Sequence, residues 1–182
     1  MIKRDDKTTS AEISNYMEVV SLSPAVAIVM GSKSDMPVME SAVEILQRFG
    51  VPYEVRVMSA HRTPVEVSNF ASNAVQRGIK VIIAGAGGAA HLPGVIAAHT
   101  TLPVIGVPIA SSPLHGIDAL HSIVQMPRGI PVATVGVDNA VNAAQLAIAI
   151  LALNDAELST KLERYRAEMR ERVLSADAEV RP

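Results

Sequence analysis

The chain has 182 residues, 49% hydrophobic but only 3% aromatic, with a formal net charge of −2 and no cysteine. That length suits one domain with a single core, the charge balance without a basic cluster argues against nucleic-acid binding, and the lack of cysteine excludes disulfides, thiolate catalysis and cysteine-ligated metals. No apolar run reaches the roughly 20 residues of a membrane span and the amino terminus is charged, so a soluble, cytoplasmic, globular protein is expected.

Residues 1–24 are polar and without clear period, which suggests a loose extension to which no function is assigned. From Val26 the pattern is regular. Val26 to Met30 reads as a strand ending in Gly31-Ser32-Lys33-Ser34-Asp35. A helix follows, with Pro37 in its first turn and Met39, Val43, Leu46 and Phe49 along one face. Tyr53 to Met58 alternates as a second strand and runs into Ser59-Ala60-His61-Arg62-Thr63-Pro64. The helix after it spans Val65 to Gln76, with Thr63 as cap, Pro64 in first position and Glu66 placed for a capping box. Val81 to Ala84 is a third strand, followed by a loop from Gly85 to Pro93 and a short helix from about Gly94 to His99. Val104 to Val107 is a fourth strand, and the loop Pro108 to Gly116 leads to a helix over Ile117 to Val124. Val132 to Val137 is a fifth strand, and Asn139 opens an Ala-rich helix to about Leu153.

Five strand-helix alternations predict a parallel sheet with helices on both faces, joined by right-handed crossovers. A core of Ala, Val, Ile and Leu suits such a sheet. Ligands of these sheets bind outside the carboxyl ends of the strands, and the unusual loops here follow strands one to four, on that rim. The last segment, Asp155 to about Leu174, is a charged helix with Leu158, Leu162, Tyr165, Met169 and Val173 spaced by four and three. So narrow a stripe suits docking on a neighbouring subunit, and docking on its own domain fits the pattern as well. The division is therefore an extension over 1–24, a strand-helix domain over 25–153 that carries the unusual loops, and a helix and tail over 154–182.

Four loops bear on chemistry. His61 and Arg62 set a proton carrier beside a fixed cation, just ahead of a helix whose first N–H groups are unpaired. A histidine that merely bonds its own turn is an equally good reading of that stretch alone. Gly31 to Asp35 has the parts of a phosphate cradle, although it is neither a Walker loop nor a nucleophile elbow, and a capped turn is its plainer reading. Asp35 there suits a diol such as ribose. Gly85 to Ala90 formally matches a dinucleotide fingerprint, but it follows the third strand and lacks the acidic residue about 20 positions on. Its glycines and alanines instead let backbone approach a flat ligand closely, with His91 able to face the cavity of His61. His99, His115 and His121 show no metal-binding spacing, so no metal site is expected. Gln125 to Pro131 is a rigid link whose Arg128 can reach a phosphate or a neighbouring subunit.

Together, VAIVMGSKSD, SAHRTP, VIIAGAGGAAHLPG and SIVQMPRGIPVAT closely resemble the N5-carboxyaminoimidazole ribonucleotide mutase family of de novo purine biosynthesis, from about Ala25 to Leu153. The resemblance implies a flavodoxin-like three-layer α/β/α sandwich with a five-stranded parallel sheet in order 2-1-3-4-5. It also implies a homo-octamer with sites at subunit junctions, acting on a small ribonucleotide with no metal, ATP or biotin. A carboxylate would move from the exocyclic nitrogen to ring carbon 4. Carried over by motif, Ser32, Ser34 and Arg62 hold the 5′-phosphate and Asp35 the ribose hydroxyls. Ser59, Ala60, Ala86, Gly87, Ala90 and Leu92 line the base and carboxylate pocket. His61 is the general acid/base, with His91 assisting.

A sister class that carboxylates the aminoimidazole directly has Ala-His-Lys in the second loop and Ala-Gly-Arg-Ser-Asn in the third. Ala60-His61-Arg62 and Ala86-Gly87-Gly88-Ala89-Ala90-His91 favour the mutase. A non-catalytic flavodoxin-like module, with Asp35 as phosphoacceptor, lacks the acidic cluster and downstream lysine it would need. The chain departs from the family in its longer extension, in His115, and in Asp138-Asn139 where a glycine-containing turn is more usual.

Overall fold

Every residue of the first strand, β1 (Val26–Met30), is buried, as a central strand covered on both faces requires. In the computed structural model, which describes residues 23–181, it pairs in parallel with β2 (Tyr53–Val57) and β3 (Val81–Gly87). β4 (Val104–Ile109) pairs with β3, and β5 (Ala133–Thr134) with β4. The order β2-β1-β3-β4-β5, parallel throughout, is the expected flavodoxin-like one.

The helices are α1 (Met36–Phe49), α2 (Pro64–Asn73), α3 (Leu92–Ala98), α4 (Ile117–Val124), α5 (Ala140–Ala152) and α6 (Ala156–Val180). Alternate residues of the strands divide the core. Ile28, Met30 and Ile83 meet Met39 and Leu46 of α1 and Ala144 and Ile148 of α5. Val29, Ile82 and Ala84 meet Val67 of α2, Ile96 of α3 and Ile123 of α4 on the other face. Ala-rich α5 lies close to the sheet because its buried face carries little more than methyl groups. α1 stops where Gly50, at φ 71, turns its N–H back to the carbonyls of Leu46 and Gln47.

The elements depart from the expected bounds in instructive places. β3 does not end at Ala84 but continues through Gly87, in register with Met30 of β1 and with Val107 to Ile109 of β4. β4 likewise gains two residues. β5 covers only Ala133–Thr134 of the expected Val132 to Val137, because it is an edge strand paired on one side. α2 ends at Asn73 rather than Gln76, α3 begins at Leu92, and α6 runs beyond Leu174 to Val180. The expected Thr63 cap is absent, and with it the capping box with Glu66. The Thr63 hydroxyl turns back, accepting from the Ser59 N–H at 2.9 Å and donating to the Ser59 carbonyl at 3.1 Å. It staples the loop that it was expected to leave.

α6 begins at Asp155, whose carboxylate accepts from the Leu158 N–H at 2.9 Å. Its first half docks on its own domain. Leu158 is buried, Leu162 and Tyr165 pack against the α1–α5 core, and the Tyr165 hydroxyl accepts from Gln145 at 2.9 Å. Arg48 lies over the Tyr165 ring and pairs with Glu168 at 2.7 Å. Beyond that point Met169, Val173 and Leu174 are exposed. The expected extension over 1–24 lies almost wholly outside the described residues. Among the described residues no helix is long and apolar enough to cross a membrane.

Candidate active site

The loop after β1 is built around a carboxylate. Asp35 accepts from the Ser32 N–H at 3.0 Å, while the Ser34 N–H donates to the Ser32 hydroxyl at 3.3 Å and the Ser34 hydroxyl lies 2.8 Å from it. The result is one turn of 3-10 helix, Lys33–Asp35, that leaves both serines on the rim. Asp35 is 6% exposed and is the buried charged side chain among the described residues. Burial pushes its pKa above the usual aspartate value of 3.8, opposed by bonds from Ser32 and Ser34 and by the Arg62 charge.

Burial prevails, so Asp35 holds its proton more firmly in the folded chain than in the unfolded one. The stability of the parent relative to Asp35→Asn is therefore expected to fall as pH rises from 3.8 through the raised folded value. Urea midpoints of the two proteins across the acid range measure this. A difference independent of pH, or one of opposite slope, would contradict it.

The loop after β2 is held by Thr63 from within and by Arg62 across to its neighbour. Arg62 donates from Nη2 to the Gly31 carbonyl at 2.9 Å, and its backbone N–H donates to the Ser59 hydroxyl at 3.2 Å. The guanidinium thus stands between the first two loops, beside Ser32 and Ser34, and is exposed on the rim. Two hydroxyls and a fixed cation are the donor set for a phosphate.

The loop after β3 supplies a wall of backbone. Gly87 must be glycine, because an added Cβ would overlap the Ser111 hydroxyl and meet the Ile109 carbonyl at 3.0 Å. The wall ends at His91, whose Nδ1 lies 2.7 Å from His61 Nε2, the rings edge to face at 84°. One ring donates and the other accepts, so the contact holds a single proton between two nitrogens.

All these groups surround one cavity of about 340 Å³. It brings together Ser32, Ser34, Asp35, Ser59, Ala60, His61, Arg62, Ala86, Gly87, Ala90, His91 and Leu92, every residue proposed from sequence. Gly31, Ala89 and Ser111 line it too and were not foreseen. Gly31 and Ala89 lie within the motifs without having been given a role, whereas Ser111 had no signal beyond lying in a loop after a strand on the same rim. Arg128 and the other three histidines stand elsewhere. His99 lies 3.4 Å from the Ser68 hydroxyl, His115 is an exposed residue at φ 50, and His121 faces Gln125. A larger open groove of about 980 Å³ lies at the amino ends of β4 and β5, with His99 as the titratable residue on its wall. Its lining is chiefly apolar and far from the paired imidazoles. No group of three or more His, Asp or Glu side chains with metal-binding geometry occurs among the described residues.

Known proteins are similar to this chain in sequence and fold. The family described as AIR carboxylase matches residues 25–172. N5-carboxyaminoimidazole ribonucleotide mutase of Pyrococcus horikoshii is 61% identical over 150 residues, 82% of this chain and 85% of that one. Phosphoribosylaminoimidazole carboxylase of Saccharomyces cerevisiae is 58% identical over 151 residues, 83% of this chain but only 26% of that longer one. The crystal structure of Treponema denticola PurE superimposes with a TM-score of 0.79 at 32% identity, covering 87% of this chain and 99% of that chain. On the family match and the identity across most of both chains, this protein belongs to the AIR carboxylase family.

Proposed function

We propose that the protein interconverts N5-carboxyaminoimidazole ribonucleotide and 4-carboxy-5-aminoimidazole ribonucleotide. The observation that carries this reading is the His61–His91 pair at 2.7 Å, set on the same cavity as the Ser32, Ser34 and Arg62 donor set. The carbamate carbon leaves its nitrogen as carbon dioxide while that nitrogen takes a proton. Ring carbon 4 of the aminoimidazole then attacks the trapped carbon dioxide, and carbon 4 loses a proton to restore aromaticity. The two proton transfers cancel, so a single imidazole serves both, and His61 is assigned that part with His91 as its partner. Ser32, Ser34 and Arg62 bind the 5′-phosphate, and Asp35 accepts from the ribose hydroxyls. Ser59, Ala60, Ala86, Gly87, Ala90 and Leu92 enclose the heterocycle and the released gas, where water would divert it. No external reagent enters this balance.

A second reading, direct carboxylation of aminoimidazole ribonucleotide by dissolved carbon dioxide, is favoured by the yeast relative's name. Ala60-His61-Arg62 and Gly88-Ala89-Ala90-His91 favour the first. Purified protein given the carbamate substrate at low bicarbonate is expected to form the carbon-carboxylated product. Product formed only when bicarbonate and aminoimidazole ribonucleotide are supplied instead would transfer the assignment to the sister reaction. Conversion of neither ribonucleotide would favour a non-catalytic binding module. The proposal includes the homo-octamer implied by the resemblance, with the exposed outer half of α6 resting on a neighbour. Light scattering of the same sample is expected to report eight copies, and a stable monomer with full turnover would remove the assembly from the proposal.

A further inference from the structure

We propose that Ser111 is a further substrate-contacting residue, directed at the heterocycle and held there by two carboxylates, Asp118 and Asp138. The inference rests on the ribonucleotide reading above and extends its site to the loop after β4. Ser111 lines the cavity, and its side chain fills the space that a side chain at position 87 would need. Among the described residues its hydroxyl has no hydrogen-bond partner, whereas the residues on both sides of it are tied down. The Ala110 N–H donates to Asp138 Oδ1 at 3.0 Å, and the Asp138 N–H donates to the Pro108 carbonyl at 2.8 Å. The Ser112 hydroxyl donates to Asp118 Oδ2 at 2.7 Å and accepts from the Leu114 N–H at 3.1 Å. The Ser111 N–H itself donates to the Ile109 carbonyl at 2.9 Å.

Asp138 holds this position at φ 55, in the left-handed region where aspartate and asparagine are the side chains best tolerated. The Ser112 hydroxyl bond holds the pKa of Asp118 below the usual aspartate value of 3.8, so the clamp is made by a carboxylate. Two carboxylates from other elements therefore hold the residues on both sides of one free hydroxyl.

The sheet order says which end of the ligand that hydroxyl meets. β4 lies two strands from β1, so Ser111 stands about 10 Å along the rim from the turn of Ser32 and Ser34. A phosphate on that turn leaves the ring and its carboxylate toward β3 and β4. A hydroxyl both donates and accepts, which matches a carboxylate beside an amino group on the same heterocycle.

Calorimetric titration of the full chain with 4-carboxy-5-aminoimidazole ribonucleotide and with ribose 5-phosphate tests this. Ser111→Ala is expected to weaken the nucleotide about tenfold, the size of one lost hydrogen bond, and to leave ribose 5-phosphate unchanged. Asp138→Ala is expected to show the same selective loss, with KM rising more than kcat falls. Asp138→Asn, which keeps the acceptor oxygen and tolerates the same backbone, is expected to restore the parent values. Equal nucleotide affinity in parent and Ser111→Ala, or equal weakening of both ligands, overturns the contact. Parent protein that binds the nucleotide without converting it overturns the reaction alone, because the titration still reads the contact.

Discussion

Replacing His61 with Asn is expected to lower turnover of the carbamate substrate by roughly 10²- to 10⁴-fold, the usual contribution of a positioned acid/base. Asparagine reaches only as far as the Nδ1 position and not to Nε2, the atom 2.7 Å from His91 Nδ1, so the contact with His91 goes along with the proton carrier. What it cannot do is carry a proton from the medium to nitrogen and away from carbon. The loop itself is held by Thr63 and Arg62 rather than by His61, so the fold and the affinity for the carbon-carboxylated nucleotide are expected to persist. Stopped assays of both directions, with titration calorimetry on the same sample, read turnover and affinity separately. Parent-like rates in the variant would remove His61 from the reaction, and with it the assignment of the cavity.

Arg62→Ala is the second large effect, and it is expected in binding rather than in the chemical step. A charge-assisted hydrogen bond of about 1.5–3 kcal/mol corresponds to a KM roughly 10- to 100-fold higher. Arg62→Lys keeps the charge but loses the fork that also reaches the Gly31 carbonyl at 2.9 Å, so an intermediate KM is expected. Comparing nucleotide with its dephosphorylated nucleoside isolates the cause. The penalty should vanish for the nucleoside, and a penalty that survives would show that Arg62 shapes the loops rather than holding phosphate.

Much of the fold was legible because its strongest elements have strong periods. β1, α1, α4 and α5 follow the apolar patterns to within a residue or so, and strand-helix alternation left few topologies to choose from. The misreadings share a cause. A glycine-rich run reads as a loop, yet Gly85, Ala86 and Gly87 are strand because β4 pairs with all three and β1 with the first. Val132 to Val137 reads as a strand, yet the chain breaks from regular pairing at an edge, where Asp138 is diverted to the neighbouring loop. Thr63 reads as a cap, yet its hydroxyl accepts from the Ser59 N–H rather than from the first turn of the helix. In each case a partner remote from the local pattern decides. The same holds for the site: the twelve residues that the motifs named line one cavity, while Ser111 on its wall was invisible because Asp118 and Asp138, on other elements, hold its neighbours.

The strip of nearly bare main chain from Ala86 to Ala90 makes adaptation of the cavity one-directional. Nothing on that side can be pruned, since glycine and alanine have almost no atoms to give up. Changes there can only shrink the chamber or push Ser111 aside. A lineage, or an engineer, seeking room for a bulkier ring must therefore gain it from the loops after β1, β2 and β4, the loops that carry Ser32, His61 and Ser111. Ligand size and chemical competence are thus tied to the same few positions.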